Sequence, residues 1–105
     1  MTSEERYADL VRAFLGRPGV TQDGRGFGAA ALKVGGRIFA MLDSRGEFVI
    51  KLPRDRVDAL IASVGGDRFD PGRGRLMKEW FAVRPASALD WLELAEEALR
   101  FVRPG

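Results

Sequence analysis

The chain contains no histidine and no cysteine. That removes thiol nucleophiles, Ser–His and Cys–His relays, and zinc held by thiolate or imidazole. Acid–base chemistry would have to come from paired carboxylates. Asp55 and Asp58 share a helical spacing, but each has arginine neighbours. Glu93, Glu96 and Glu97 fall on the outer face of a C-terminal helical pattern, and Asp67 and Asp70 flank Phe69. A catalytic carboxylate needs burial or a charged neighbour to move its pKa, and none of these falls at an expected apolar mouth. Tyr7, the single tyrosine, belongs to the inner stripe of an amphipathic pattern. These residues predict a non-enzymatic protein without metal or cofactor.

Two further motifs invite a ligand. Gly24-Arg25-Gly26-Phe27-Gly28-Ala29 has the glycine density of a phosphate-binding loop. Such a loop follows a strand and opens a helix, so that the helix N-terminus meets the phosphate. Here a strand pattern follows instead, and the segment reads as the entry to that strand. The second motif is the acid-free run 71–78, with Arg73, Arg75 and Lys78 close to Trp80 and Phe81. Cations interleaved with aromatics suit phosphate contact and base stacking; the competing reading is a solvated loop leading into a core strand. With one glutamine and no asparagine, side-chain amides that read adenine are scarce. Any DNA contact would rest on phosphates or on arginine at guanine.

The elements that must position these groups follow from periodicity and turn chemistry. Thr2-Ser3-Glu4-Glu5 forms a capping box, and Tyr7, Leu10, Val11, Phe14 and Leu15 continue at helical spacing up to Gly16 and Pro18. Strands are expected over residues 29–34, 37–42 and 47–52, the first two joined by a Gly35-Gly36 hairpin and the others by 43–46. Pro53 opens a second helix with Val57, Leu60, Ile61 and Val64 inward, ended by Gly65-Gly66. Residues 68–70 suggest a short strand and 76–84 a strand pair or one bent strand. Ser87 is expected to cap a third helix, with Leu92, Ala95, Leu99 and Val102 inward and Ala88, Trp91, Ala98 and Phe101 widening that stripe.

Hairpin lengths assign side chains to faces. Pairing Leu32 with Phe39 and Met41 with Phe48 gathers Leu32, Phe39, Met41, Phe48 and Ile50 on one face, to meet Leu10, Phe14, Leu60 and Leu99. Ala31, Lys33, Ile38, Ala40, Val49 and Lys51 then line the other. The expected fold is one α+β domain over residues 1–105, with two layers. One antiparallel sheet carries helices on one face, in the order α-β-β-β-α-β-β-α. The remaining face would be open, small and apolar with a basic edge. Lys33, Arg37 and Lys51, together with Arg73, Arg75, Lys78 and Trp80, are the candidate nucleic-acid-binding residues.

Charge and length set the outer limits. With 105 residues the chain is long enough for one core without disulfides. The net charge is +2, mild for a nucleic-acid binder. Its distribution is uneven: residues 28–52 hold four basic and two acidic groups, and residues 85–105 hold two basic and four acidic. Fourteen of the 17 basic residues are arginine, which fits either phosphate forks or GC-rich coding. No stretch reaches the roughly 20 apolar residues that span a bilayer, and the acidic start is unlike a signal peptide. A cytoplasmic protein with no membrane contact is expected.

Gly19-Val20, Gly26-Phe27-Gly28 and Leu32-Lys33-Val34-Gly35-Gly36-Arg37-Ile38-Phe39-Ala40 resemble the bacterial MmcQ/YjbR family. Phe69-Asp70-Pro71-Gly72-Arg73-Gly74-Arg75-Leu76-Met77-Lys78-Glu79-Trp80 is similar to the related TfoX N-terminal domain family. The likeness covers nearly the whole chain and rests mostly on turn glycines and core aromatics. It implies an α+β domain with one antiparallel sheet, in agreement with the order above. MmcQ/YjbR proteins are commonly labelled DNA-binding and TfoX-like domains belong to competence regulators; neither supplies catalytic residues. Two functional expectations stand together: a nucleic-acid-associated or regulatory domain, and an interaction module that forms a homodimer or docks a protein partner through the open face.

Overall fold

A computed structural model describes residues 2–22, 31–43, 45–69, 77–84 and 87–103. The first helix, α1 (Ser3–Phe14), starts as the sequence predicts. The Thr2 side chain accepts from the Glu5 amide and the Glu5 carboxylate accepts from the Thr2 amide, completing the capping box. The two backbone and side-chain contacts with Thr2 hold the Glu5 carboxyl below its ordinary range. The helix ends at Leu15, in right-handed conformation, so Gly16 is not its cap.

Among the described residues six strands follow in an antiparallel sheet: β1 (Val20–Gln22), β2 (Leu32–Val34), β3 (Arg37–Leu42), β4 (Phe48–Lys51), β5 (Asp67–Phe69) and β6 (Met77–Val83). Their spatial order is β1-β2-β3-β4-β6-β5. Helix α2 (Arg54–Val64) connects β4 to the edge strand β5, and α3 (Trp91–Val102) follows β6. This is the expected α+β fold with one addition. Strand β1 lies inside the stretch expected to be loop and pairs Val20 with Val34. Three residues flanked by glycines carry too short a pattern to announce a strand; pairing with β2 makes one. The glycine-rich motif at residues 24–29 lies outside the described residues.

The β2–β3 hairpin turns on Gly35 and Gly36, with φ of 58° and 79°. Such a two-residue turn requires positive φ at both positions. Pairing begins as expected, Val34 with Arg37 and Lys33 with Ile38, and then slips: Leu32 faces Ala40. Phe39 is thus an extra residue in β3, a bulge. It sends Phe39 and Ala40 together into the helix-side core. Past the bulge, Ala40 pairs with Ile50, Met41 with Val49 and Leu42 with Phe48. This corrects two expectations. Met41 lies on the helix-free face with Val49, and Ala40 lies on the helix side.

The core therefore gathers Leu32, Phe39, Phe48, Ile50, Phe81 and Val83 beneath the three helices. Leu10 and Phe14 come from α1, Leu60 from α2, and Leu99 from α3. Burial pushes the Tyr7 phenol well above its ordinary pKa. Helix α3 starts later and in a different phase than expected. Asp90, not Ser87, is the N-cap, accepting from the Leu92 and Glu93 amides; the Ser87 hydroxyl accepts from the Leu89 amide. Trp91 and Leu94 turn inward, while Leu92 and Phe101 are exposed. The indole has the larger apolar surface to bury, and it stacks on Phe48 with centroids 4.6 Å apart. That contact fixes the helix phase.

Candidate nucleic-acid interface

Strand alternation sorts the candidate residues between the two faces of the sheet. Lys33 lies between Leu32 and Val34, and Lys51 between Ile50 and Leu52, and all four neighbours belong to the helix-side core. Both lysines therefore stand on the other face, on which no helix of the described residues packs. That face has its own small apolar cluster of Val49, Phe69 and Ala82, with Met41 and Trp80 packed against it. Lys51 is the register partner of Trp80, and its ammonium sits 5.7 Å from the indole centroid, within cation–π range. Exposed Lys78 is two positions before Trp80, in the part of β6 where the register breaks: Arg68 pairs with Phe81 but Phe69 with Met77, so alternation assigns it to neither face. Of the chain's three lysines, Lys33 and Lys51 thereby stand on this surface, on β2 and β4.

Arg37 does not join them. It pairs with Val34 at the hairpin end and falls on the helix side. Arg73 and Arg75 lie outside the described residues. What the residue pattern missed is part of the apolar centre: Met41 reaches this face through the register slip in β3, whereas Phe69 reaches it by alternation along β5. Strand alternation alone carries no sign of the β3 slip.

Among the described residues no ion pair engages Lys51, Lys78 or Arg37, whereas several arginines elsewhere meet carboxylates. Arg17 pairs with Glu96, Arg68 with Asp58, and Arg56 makes two contacts with Glu97 at 2.9 and 3.1 Å. The Glu97 contact holds the Arg56 guanidinium above its ordinary pKa. Asp58, Glu96 and Glu97, three of the seven carboxylates first considered for acid–base work, thus serve as ion-pair partners on the helix layer. Among the described residues no group of three or more acidic side chains could hold a metal ion, and no helix is long and apolar enough to cross a membrane.

Two further carboxylates, Asp43 and Glu47, share Arg45 at 3.4 and 3.5 Å. In the β3–β4 loop the Asp43 carboxylate accepts from the amides of Arg45 and Glu47, both at 2.9 Å. Partial burial, and then the nearby Asp43 charge, push the Glu47 carboxyl above its ordinary value. The fold therefore prefers Glu47 protonated. That preference stabilises the protein below the unfolded-state pKa and is lost as pH rises through the folded one. Glu47→Gln is expected to raise the melting temperature at neutral pH and to lose that advantage in acid, below about pH 4. Thermal melts at several pH values check this; an equal effect at every pH contradicts it.

Comparison with family models, curated proteins and solved structures found no match.

Proposed function

We propose that this chain is a non-enzymatic domain that binds a nucleic-acid strand across the helix-free face of its sheet. In this reading Lys33, Lys51 and Lys78 neutralise phosphates and Trp80 offers a ring for a base to stack on. Aromatic stacking contributes about 1–3 kcal/mol per base and tolerates any sequence. The supporting observation is the pairing of Lys51 with Trp80 on a surface where Lys51 has no acidic partner among the described residues. The likeness to the MmcQ/YjbR and TfoX N-terminal families points the same way. With so few side-chain amides, recognition would follow backbone charge and stacking rather than base identity.

The same face supports a second reading, association with another copy of the chain. Its apolar centre of Met41, Val49, Phe69 and Trp80 favours this. Both readings are tested by following Trp80 fluorescence while single-stranded and duplex oligonucleotides are added over a salt series, with Trp91→Phe removing the second indole. Nucleic-acid binding predicts quenching that weakens steeply as salt rises, because each neutralised phosphate releases counterion. Lys51→Gln with Lys78→Gln should flatten that salt dependence. Absence of quenching, together with a dimer in sedimentation that Trp80→Glu dissolves, would replace the first reading by the second.

A further inference from the structure

Away from the helix-free face, a cleft of about 500 Å³ opens where the end of α2, the end of β6 and the segment before α3 meet. Phe81 and Val83 lie beneath it, and Val64 and Leu89 form its sides. Val64 is 53% exposed, an apolar side chain for which the described fold supplies no cover. Gly65 and Gly66 leave the backbone bare along one wall. The volume falls within the roughly 300–1,000 Å³ of small-molecule sites.

The polar groups are few and of one kind. Arg84 is the only charged lining residue among those described, and Ser87 carries the only other polar side chain. Arg84 reaches Asp67 at 3.6 Å, with both side chains more than half exposed. Such a pair is worth little and leaves the guanidinium available to a stronger anion. The Ser87 hydroxyl accepts from the Leu89 amide at 3.2 Å, so its own proton remains to be donated. An apolar basin with one guanidinium and one hydroxyl donor complements a molecule with a hydrocarbon body and a single carboxylate. The planar guanidinium binds carboxylate through two parallel hydrogen bonds. A cationic head at the same place would meet Arg84 as a like charge.

We propose that this cleft is a binding site for a small apolar monocarboxylate, with Arg84 and Ser87 holding the carboxylate and Val64 and Leu89 covering the body. The site is independent of the sheet-face reading. The test is a titration of the full-length ¹⁵N-labelled chain with octanoate, with octanol and octylammonium as charge controls. Octanoate should give saturable shifts at the Val64, Ser87 and Leu89 amides and leave the Trp80 and Lys51 signals in place. Octylammonium should bind at least about tenfold more weakly, and Arg84→Gln should cost octanoate about tenfold while sparing octanol, the usual scale of one charged hydrogen bond. Ala88→Trp, which fills the cleft from an exposed position, should remove the shifts. No saturable shift, equal binding of octanoate and octylammonium by the unaltered chain, or unchanged octanoate affinity in Arg84→Gln would overturn the proposal.

Discussion

Phe39→Ala is expected to destabilise the domain by about 3–5 kcal/mol, the range for removing a buried phenylalanine. Phe39 is fully buried and packs 6.0 Å from the Phe14 ring of α1. It occupies the bulge in β3, so its backbone is held by a register slip as well as by packing. The cavity left behind would lie between sheet and helix, where neither layer closes it without moving the other. Against a total stability of about 5–15 kcal/mol, this loss brings the protein close to unfolding. Met41→Ala is the control: two residues on, half-buried on the helix-free face, it should cost clearly less. Chemical denaturation of the two variants checks the ranking, and equal losses would place Phe39 outside the core.

A comparable loss is expected from a single methyl group at Gly66. This residue follows α2 with φ of 102°, and a Cβ there would stand 2.7 Å from Phe81 Cζ, 2.8 Å from its Cε1 and 3.1 Å from the Ala82 carbonyl. Phe81 is fully buried in β6, so its ring moves only by disturbing the packing around it. Backbone strain contributes about 1–3 kcal/mol and overpacking about 1–3 kcal/mol more. Two other glycines separate these terms. Gly36 has φ of 79° and open space around its Cβ position, while Gly16 has open space and no positive φ. Alanine should therefore cost most at Gly66, less at Gly36 and least at Gly16. Denaturation midpoints give the order directly; a mild Gly66→Ala would mean that Phe81 yields.

The residues whose meaning is local were readable in advance. The Thr2–Glu5 capping box, the Gly35-Gly36 hairpin and the start of α2 after Pro53 each depend on a few neighbouring side chains. Tyr7, Leu10, Val11 and Phe14 of α1 needed only their own period, whereas Leu15, expected to continue it, is exposed. Features that depend on distant partners were not readable. The Phe39 bulge exists because it sets Phe39, Ala40 and Leu42 against the helices together with Phe48 and Ile50, and no property of residues 37–42 alone requires it. The phase of α3 is decided by Trp91 stacking on Phe48, which is 43 positions earlier in the chain. Strand β1 exists only as a partner of β2.

The same division runs through the candidate site. Lys33, Lys51 and Trp80 reach one face by simple alternation, so their grouping was visible in the residue pattern. Met41, which supplies part of the apolar ground between them, arrives through the register slip in β3. Arg37 is carried to the opposite side by the pairing of Val34 across the hairpin. Arg17, Arg56 and Arg68 meet carboxylates on the helix layer, whereas two of the three lysines, Lys51 and Lys78, have no ion-pair partner among the described residues. Position in the sheet, rather than the number of basic groups, singles out the surface.

The most direct test of this account is a chemical-shift map of the ¹⁵N-labelled chain during titration with a short single-stranded oligonucleotide at low salt. The account predicts the largest perturbations at Lys33, Met41, Lys51, Lys78 and Trp80, fading together as salt is raised. It predicts little change along the outer surfaces of α1 and α3. Perturbations concentrated on those helices, or none on the sheet face at any salt concentration, would contradict it.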